Sequence, residues 1–222
     1  MCIRDSPVSY FGGIVGFNCE VDKETAEELV QPFLECIIAP SISDEALEVL
    51  KKKKNLRVIS VGGKGLTDKY SIKSVAGGYL YQQKDFQQGE LENLEIVTNK
   101  KPEESEMKAI QLGWKLVRNV KSNAIVFANS KQLLGIGAGQ MSRIDSVKIA
   151  VQKVAEAGLN LQGATMASDA FFPFSDSIEI AAEAGIAVVI QPGGSIKDKD
   201  VINRANELGV AMVFTKIRHF LH

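Results

Sequence analysis

The residues of this 222-residue chain best suited to chemistry fall in its second half, in two unusual turns and one isolated arginine. Gly135-Ile136-Gly137-Ala138-Gly139-Gln140-Met141-Ser142-Arg143 runs out of an apolar stretch and ends near Ser142, a residue type that starts helices. A strand, a glycine turn and a helix N-terminus together make a cradle for an anion, since the backbone can approach closely and the helix end carries partial positive charge. The dinucleotide fingerprint needs a third glycine where Gln140 stands, and no Gly-Lys-Ser/Thr follows to make a P-loop. Asn123, just upstream, either presents its amide to a ligand or satisfies its own turn backbone.

The second turn is Ser168-Asp169-Ala170-Phe171-Phe172-Pro173-Phe174-Ser175-Asp176, in which three phenylalanines lie outside any periodic element. The rings either plug the top of a core or wall a pocket for a flat heterocycle. Arg218 is either a surface cation or a bidentate partner for a phosphate or carboxylate.

These residues need elements to position them. Ala164 to Ala167, Ile186 to Ile190 and Val210 to Phe214 read as three short unalternated strands joined by two helices. Asp176 with Glu179, and Ser195 with Asp198, read as N-caps followed by an acid, and Gly185 and Gly209 end the helices. The expected result is a β-α-β-α-β unit with a parallel sheet buried on both faces. Its ligand belongs beyond the carboxyl ends of the strands, where the phenylalanine turn, Gln191 to Ser195 and Thr215 to His219, with Arg218, emerge. Upstream, Ala124 to Ala128 and Gln132 to Leu134 predict a hairpin around Asn129-Ser130, and Glu104 to Asn119 a helix with Trp114 in the core. In the first half, helices are expected over Lys23 to Leu34 and Asp44 to Leu50, a strand over Leu56 to Val61, a loop over Gly62 to Gly78 and a polar stretch from Gln82 to Glu104.

Composition narrows the function class. With 45% apolar and 24% charged residues the chain can build a core, and 26 Lys+Arg against 27 Asp+Glu leave a net charge of -1. That balance lacks the basic excess of a protein that coats nucleic acid. Lys51 to Lys54 follows a helix and is read as a solvated end that complements the helix dipole. No apolar run is long enough to cross a bilayer, and residues 1–6 lack the apolar run of a secretion signal, so the expected location is the cytoplasm. Cys2, Cys19 and Cys36 form no CxxC pair, and the histidines are His219 and His222, so no metal site is expected.

Several segments in one order carry a resemblance: Lys121 to Val126, Gly135 to Arg143, Ser168 to Phe174, Gln191 to Ser195 and Arg218 to His222. With Pro7 to Gly13 and Ile37 to Pro40, they closely resemble the transformylase domain of the bifunctional AICAR transformylase/IMP cyclohydrolase family of purine biosynthesis. The resemblance covers nearly the whole chain from Pro7 onward. It implies a cytidine-deaminase-like α/β/α fold without zinc, and formyl transfer from 10-formyltetrahydrofolate to the 5-amino group of AICAR, with no tightly bound cofactor. The implied partners are these two small molecules and, in the full-length family protein, a second copy of the chain as a homodimer.

Residue by residue, Asn123 resembles the family's active-site asparagine near the transferred formyl group. Arg143 resembles an arginine lining the site, while Phe171, Pro173 and Asp176 match the loop that packs against the heterocycles and hydrogen-bonds the folate. Arg218 matches an AICAR-contacting arginine, Phe11 and Gly12 the segment approaching the imidazole, and Glu35 an acid contacting AICAR. Against the family pattern, a cyclohydrolase domain and the opening of the transformylase domain, with its Lys-His pair, are expected to be absent. Residues 1–6 are read as a leader foreign to the family and 7–222 as the partial transformylase domain.

Overall fold

A computed structural model describes residues 10–62, 69–85 and 91–221, so the leader at 1–6 and His222 lie outside the described residues. The chain divides into two compact units, residues 1–84 and 85–222.

In the first unit, strands β1 (Gly13–Gly16), β2 (Leu34–Ala39) and β3 (Arg57–Ser60) form a parallel sheet in that order. Helices α1 (Lys23–Leu29) and α2 (Asp44–Leu50) supply Ala26, Leu29, Ala46, Val49 and Leu50, which bury against Leu34, Ile37 and Ala39 of β2. Asp22 caps α1, its carboxylate accepting from the Thr25 N–H at 2.8 Å, and that bond holds its pKa below the ordinary value. The helix stops at Leu29, short of the expected Leu34, because Leu34 opens the central strand. The expected loop over Gly62 to Gly78 is also corrected: β4 (Tyr70–Val75) and β5 (Gly78–Gln83) pair as an antiparallel ribbon.

The second unit is a six-stranded mixed sheet with helices on both faces. Its strands are β6 (Glu95–Ile96), β7 (Ile125–Ala128), β8 (Leu133–Gly137), β9 (Thr165–Ser168), β10 (Val188–Gln191) and β11 (Ala211–Phe214), in the order β6-β11-β10-β9-β7-β8. Strands β9, β10 and β11 run parallel, so the expected β-α-β-α-β unit is present, with β7 antiparallel to β9 and hairpin-paired to β8.

Alternation along the strands sorts the core. Helix α3 (Glu104–Val117) packs Ile110, Trp114 and Val117 on Val126, Ala167, Ile190 and Val213. On the opposite face, helices α4 (Arg143–Glu156), α5 (Asp176–Glu183) and α6 (Asp198–Glu207) pack on Ile125, Phe127, Met166, Val189 and Met212. Gly185 and Gly209 follow α5 and α6 at φ +101° and +68°, the left-handed conformation that suits glycine. Both expected N-caps shift. Ser175 precedes α5, placing Asp176 inside the helix, and α6 starts after Lys197, with the Asp198 carboxylate accepting from the Gly194 and Ser195 N–H groups.

Candidate functional site

Asn123 stands just before β7, and Arg143 is the first residue of α4, whose N-cap is Ser142. The Arg143 side chain is buried and turns toward the carboxyl end of β9. There Nη1 forms an ion pair with Asp169 and donates to Ser168 Oγ at 2.9 Å and to the Ala124 carbonyl at 3.4 Å. Nη2 donates to Asn123 Oδ1 at 3.0 Å. The Asn123 Nδ2 donates in turn to the carbonyls of Gln140 at 2.9 Å and Met141 at 3.3 Å. Two carbonyl groups at the end of the glycine-rich turn thus face the Asn123 amide nitrogen.

The phenylalanine turn realises both of its readings, in different rings. Phe172 is fully buried and closes the top of the core, its N–H donating to Gln191 Oε1 at 3.2 Å. Phe171, Pro173 and Phe174 instead line an open cavity of about 510 Å³, shared with Asn123, Arg143, Asp176 and Arg218. The Arg218 guanidinium lies 5.3 Å from the Phe171 ring centre and 4.4 Å from that of Phe220. Cation–π contacts with these two rings restrain the guanidinium while it stays exposed. Asp176 accepts from the Ser177 N–H at 2.7 Å and borders the same cavity. Mostly apolar walls with a few fixed polar groups are the make-up of a small-molecule site.

Six of the nine expected site residues therefore meet at one cavity, whereas the Gln191-to-Ser195 loop does not line it. The other three lie in the first unit. Phe11 is exposed with its ring 5.1 Å from that of Phe33, and the Gly12 N–H donates to the Phe33 carbonyl at 2.8 Å. Glu35 forms an ion pair with Arg57 at 2.8 Å. Among the described residues no cluster of His, Cys, Asp and Glu could hold a metal ion, and no helix is long and apolar enough to cross a membrane.

Comparison with known proteins decides the family, because the profile of the AICARFT/IMPCHase bienzyme matches residues 2–153. The chain belongs to the AICARFT/IMPCHase family. It is 54% identical over 214 residues to the bifunctional purine biosynthesis protein PurH of Macrococcus caseolyticus, covering 96% of this chain and 43% of that protein. The PurH proteins of Aquifex aeolicus and Lysinibacillus sphaericus are 52% and 50% identical, over 97% of this chain and 42% of theirs. The chain thus spans less than half the length of these relatives.

Within this AICARFT/IMPCHase chain, Ser122, Asp169 and His219 join the site although none was singled out for it. The Asp169 Oδ2 accepts from Ser122 Oγ at 2.5 Å, and the Asp169 carbonyl accepts from the His219 N–H at 2.9 Å. An acid directly after a buried parallel strand was the readable signal for Asp169. The contacts of Ser122 and His219 arise only from tertiary folding.

Proposed function

We propose that this chain is the formyl-transfer part of its bienzyme family, built on cytidine-deaminase-like layers, and that the cavity around Asn123 receives AICAR and 10-formyltetrahydrofolate. The convergence of Asn123, Arg143, Phe171, Pro173, Asp176 and Arg218 on one cavity carries the reading. Phe171, Pro173 and Phe174 supply flat apolar surface for a heterocycle, and the Asp176 carboxylate suits the N–H groups of a pterin. Arg218, within cation–π reach of Phe171 and Phe220, offers a planar fork to an acidic or carboxamide oxygen. Phe11, Gly12 and Glu35 belong to the AICAR side of the reaction, the working protein is a cytoplasmic homodimer, and residues 7–222 form the partial transformylase domain.

A second reading, a binding module without turnover, is favoured by the placement of His219. This ring is buried, packed on Trp114 with Nδ1 2.7 Å from Asp85 Oδ2, and does not line the cavity. The aromatic amine of AICAR is a weak nucleophile, because its lone pair is delocalised into the ring, so transfer calls for a positioned base. Calorimetric titration of the purified chain with AICAR and with a reduced folate tests the site. Binding of both supports it, and binding of neither sinks it. Formation of FAICAR by the same chain then separates enzyme from silent module, and the expected outcome is binding without measurable formyl transfer.

A further inference from the structure

The cavity contains one amide whose orientation is decided by its neighbours. Arginine N–H groups only donate, so the Asn123 atom 3.0 Å from Arg143 Nη2 is the oxygen. Carbonyls only accept, so the atom near the Gln140 and Met141 carbonyls is the nitrogen. Both hydrogens of Nδ2 have partners, at 2.9 and 3.3 Å. One lone pair on Oδ1 is occupied by Arg143 and a second remains. Toward a ligand, Asn123 is an acceptor.

That polarity depends on a residue that does not line the cavity. Arg143 could swing away from Asn123 if its guanidinium were not anchored, and its anchor is Asp169, whose side chain is only 1% exposed. Asp169 is itself fixed at three further points. Ser122 Oγ donates to its carboxylate, its N–H donates to the Ala124 carbonyl at 3.3 Å, and its carbonyl accepts from the His219 N–H at 2.9 Å. It ties the segment leading to β7, the start of α4, the end of β9 and the C-terminal segment together at one point.

We propose that Asp169 is a positioning residue, which through the Arg143 guanidinium holds the Asn123 amide with its oxygen as the free polar function, so that the ligand group seated there is an N–H donor such as an aromatic amine. Accepting one N–H fixes how the amine nitrogen sits in the cavity. A carbonyl oxygen at the same place would face a lone pair and be repelled. The proposal rests on the formyl-transfer reading only for the identity of the probe.

The first measurement needs no ligand. In the 15N-labelled 222-residue chain, the Asn123 side-chain amide, assigned by its loss in Asn123→Ala, should exchange with water roughly tenfold or more slowly than an exposed amide. Asp169→Asn, which keeps the shape and removes the charge, should move that signal to the solvent-averaged position and abolish the slow exchange. Should Asp169→Asn fail to fold, Arg143→Lys decides, because it retains a cation beside Asp169 without a second nitrogen to reach Asn123. An unchanged Asn123 amide in the folded variants overturns the positioning role.

The second measurement reads polarity. AICAR and its analogue bearing hydrogen in place of the 5-amino group are titrated into the parent chain and into Asp169→Asn. The parent should prefer AICAR about fivefold to tenfold, the worth of one hydrogen bond, and the variant should lose the preference. A purely structural Asp169 would weaken both ligands alike and leave the ratio intact, which overturns the proposal. Equal affinities in the parent overturn the acceptor assignment and leave the formyl-transfer reading standing. Binding of neither ligand to the parent sinks that reading instead, and the amide signal then decides the positioning role alone.

Discussion

The His219 ring packs against Trp114 with ring centres 4.7 Å apart, and both side chains are buried. The pair lies where the C-terminal segment folds back over α3, and the His219 N–H reaches the Asp169 carbonyl from there. The terminal segment that carries Arg218 to the cavity is thus fastened by its neighbour in sequence.

Removing that ring should cost stability. His219→Ala opens a cavity against Trp114 and strips Asp85 of its partner, which predicts a loss of about 2–4 kcal/mol in urea unfolding. A loss below about 0.5 kcal/mol, the level of an exposed position, would show that the ring is not part of the core.

A second prediction concerns the closeness of α4 to β8. A Cβ on Gly137 would overlap the Ser146 carbonyl group of the helix backbone, which cannot rotate away as a side chain can. Gly137→Ala should therefore push α4 off the sheet and destabilise by about 3 kcal/mol, with loss of AICAR affinity because Arg143 starts that helix. Gly16→Ala, at a strand position with nothing within 4 Å of the added carbon, is the control and should change stability by less than about 0.5 kcal/mol. Equal melting temperatures for the two variants would refute the close approach.

The parallel unit was legible because each of its strands is a short unbroken apolar run and each helix ends at a glycine. Trp114 was legible as a core residue from its place in the apolar stripe of α3. The ribbon of β4 and β5 was not, since all of its residues are exposed and no buried face leaves a period in the sequence. Strand β6 is two residues long, too short to carry a pattern. In the first unit, Ala26, Leu29, Val30 and Phe33 continue a helical spacing past Leu29, although the backbone has already turned toward β2. Of the residues lining the cavity, Asn123, Arg143, Phe171, Pro173, Asp176 and Arg218 were readable from turn chemistry and resemblance, whereas Ile144 and Ser177 were not. For Asp169 only its place directly after a buried strand was readable, because its importance comes from four segments that meet only in three dimensions.

The ribbon supports a third prediction. Tyr70, Ile72, Tyr79 and Tyr81 lie on one of its faces, with the Tyr70 and Tyr81 rings stacked at 4.7 Å, and all four are exposed. Two-stranded ribbons are marginal alone in water, and an exposed aromatic face favours association. The chain should self-associate in light scattering, and Ile72→Lys combined with Tyr81→Lys should shift it toward monomer without lowering the melting temperature of the second unit. A parent that stays a monodisperse monomer over a wide concentration range would count against both this role and the proposed homodimer.

The last prediction separates charge from shape at Arg218. Its guanidinium carbon lies 5.3 Å from the centre of the Phe171 ring and 4.4 Å from that of Phe220, within cation–π range of both, and the side chain lines the cavity. Lysine keeps the positive charge but has neither the planar fork nor the same stacking on aromatic faces. A hydrogen bond to a charged group contributes roughly 1.5–3 kcal/mol, so losing one arm of the fork should weaken AICAR binding about tenfold or more. Because Arg218 is exposed, Arg218→Lys should move folding stability by less than about 0.5 kcal/mol, which sets it apart from the buried Arg143. Phe171→Leu should weaken AICAR binding by freeing the same guanidinium, and combining the two changes should cost less than the sum of their separate effects, since both act on one fork. Titration calorimetry of the three variants reads this directly. If Arg218→Lys bound AICAR as tightly as the parent, the fork would have no part in recognition and the arginine would serve only as a cation near the cavity mouth.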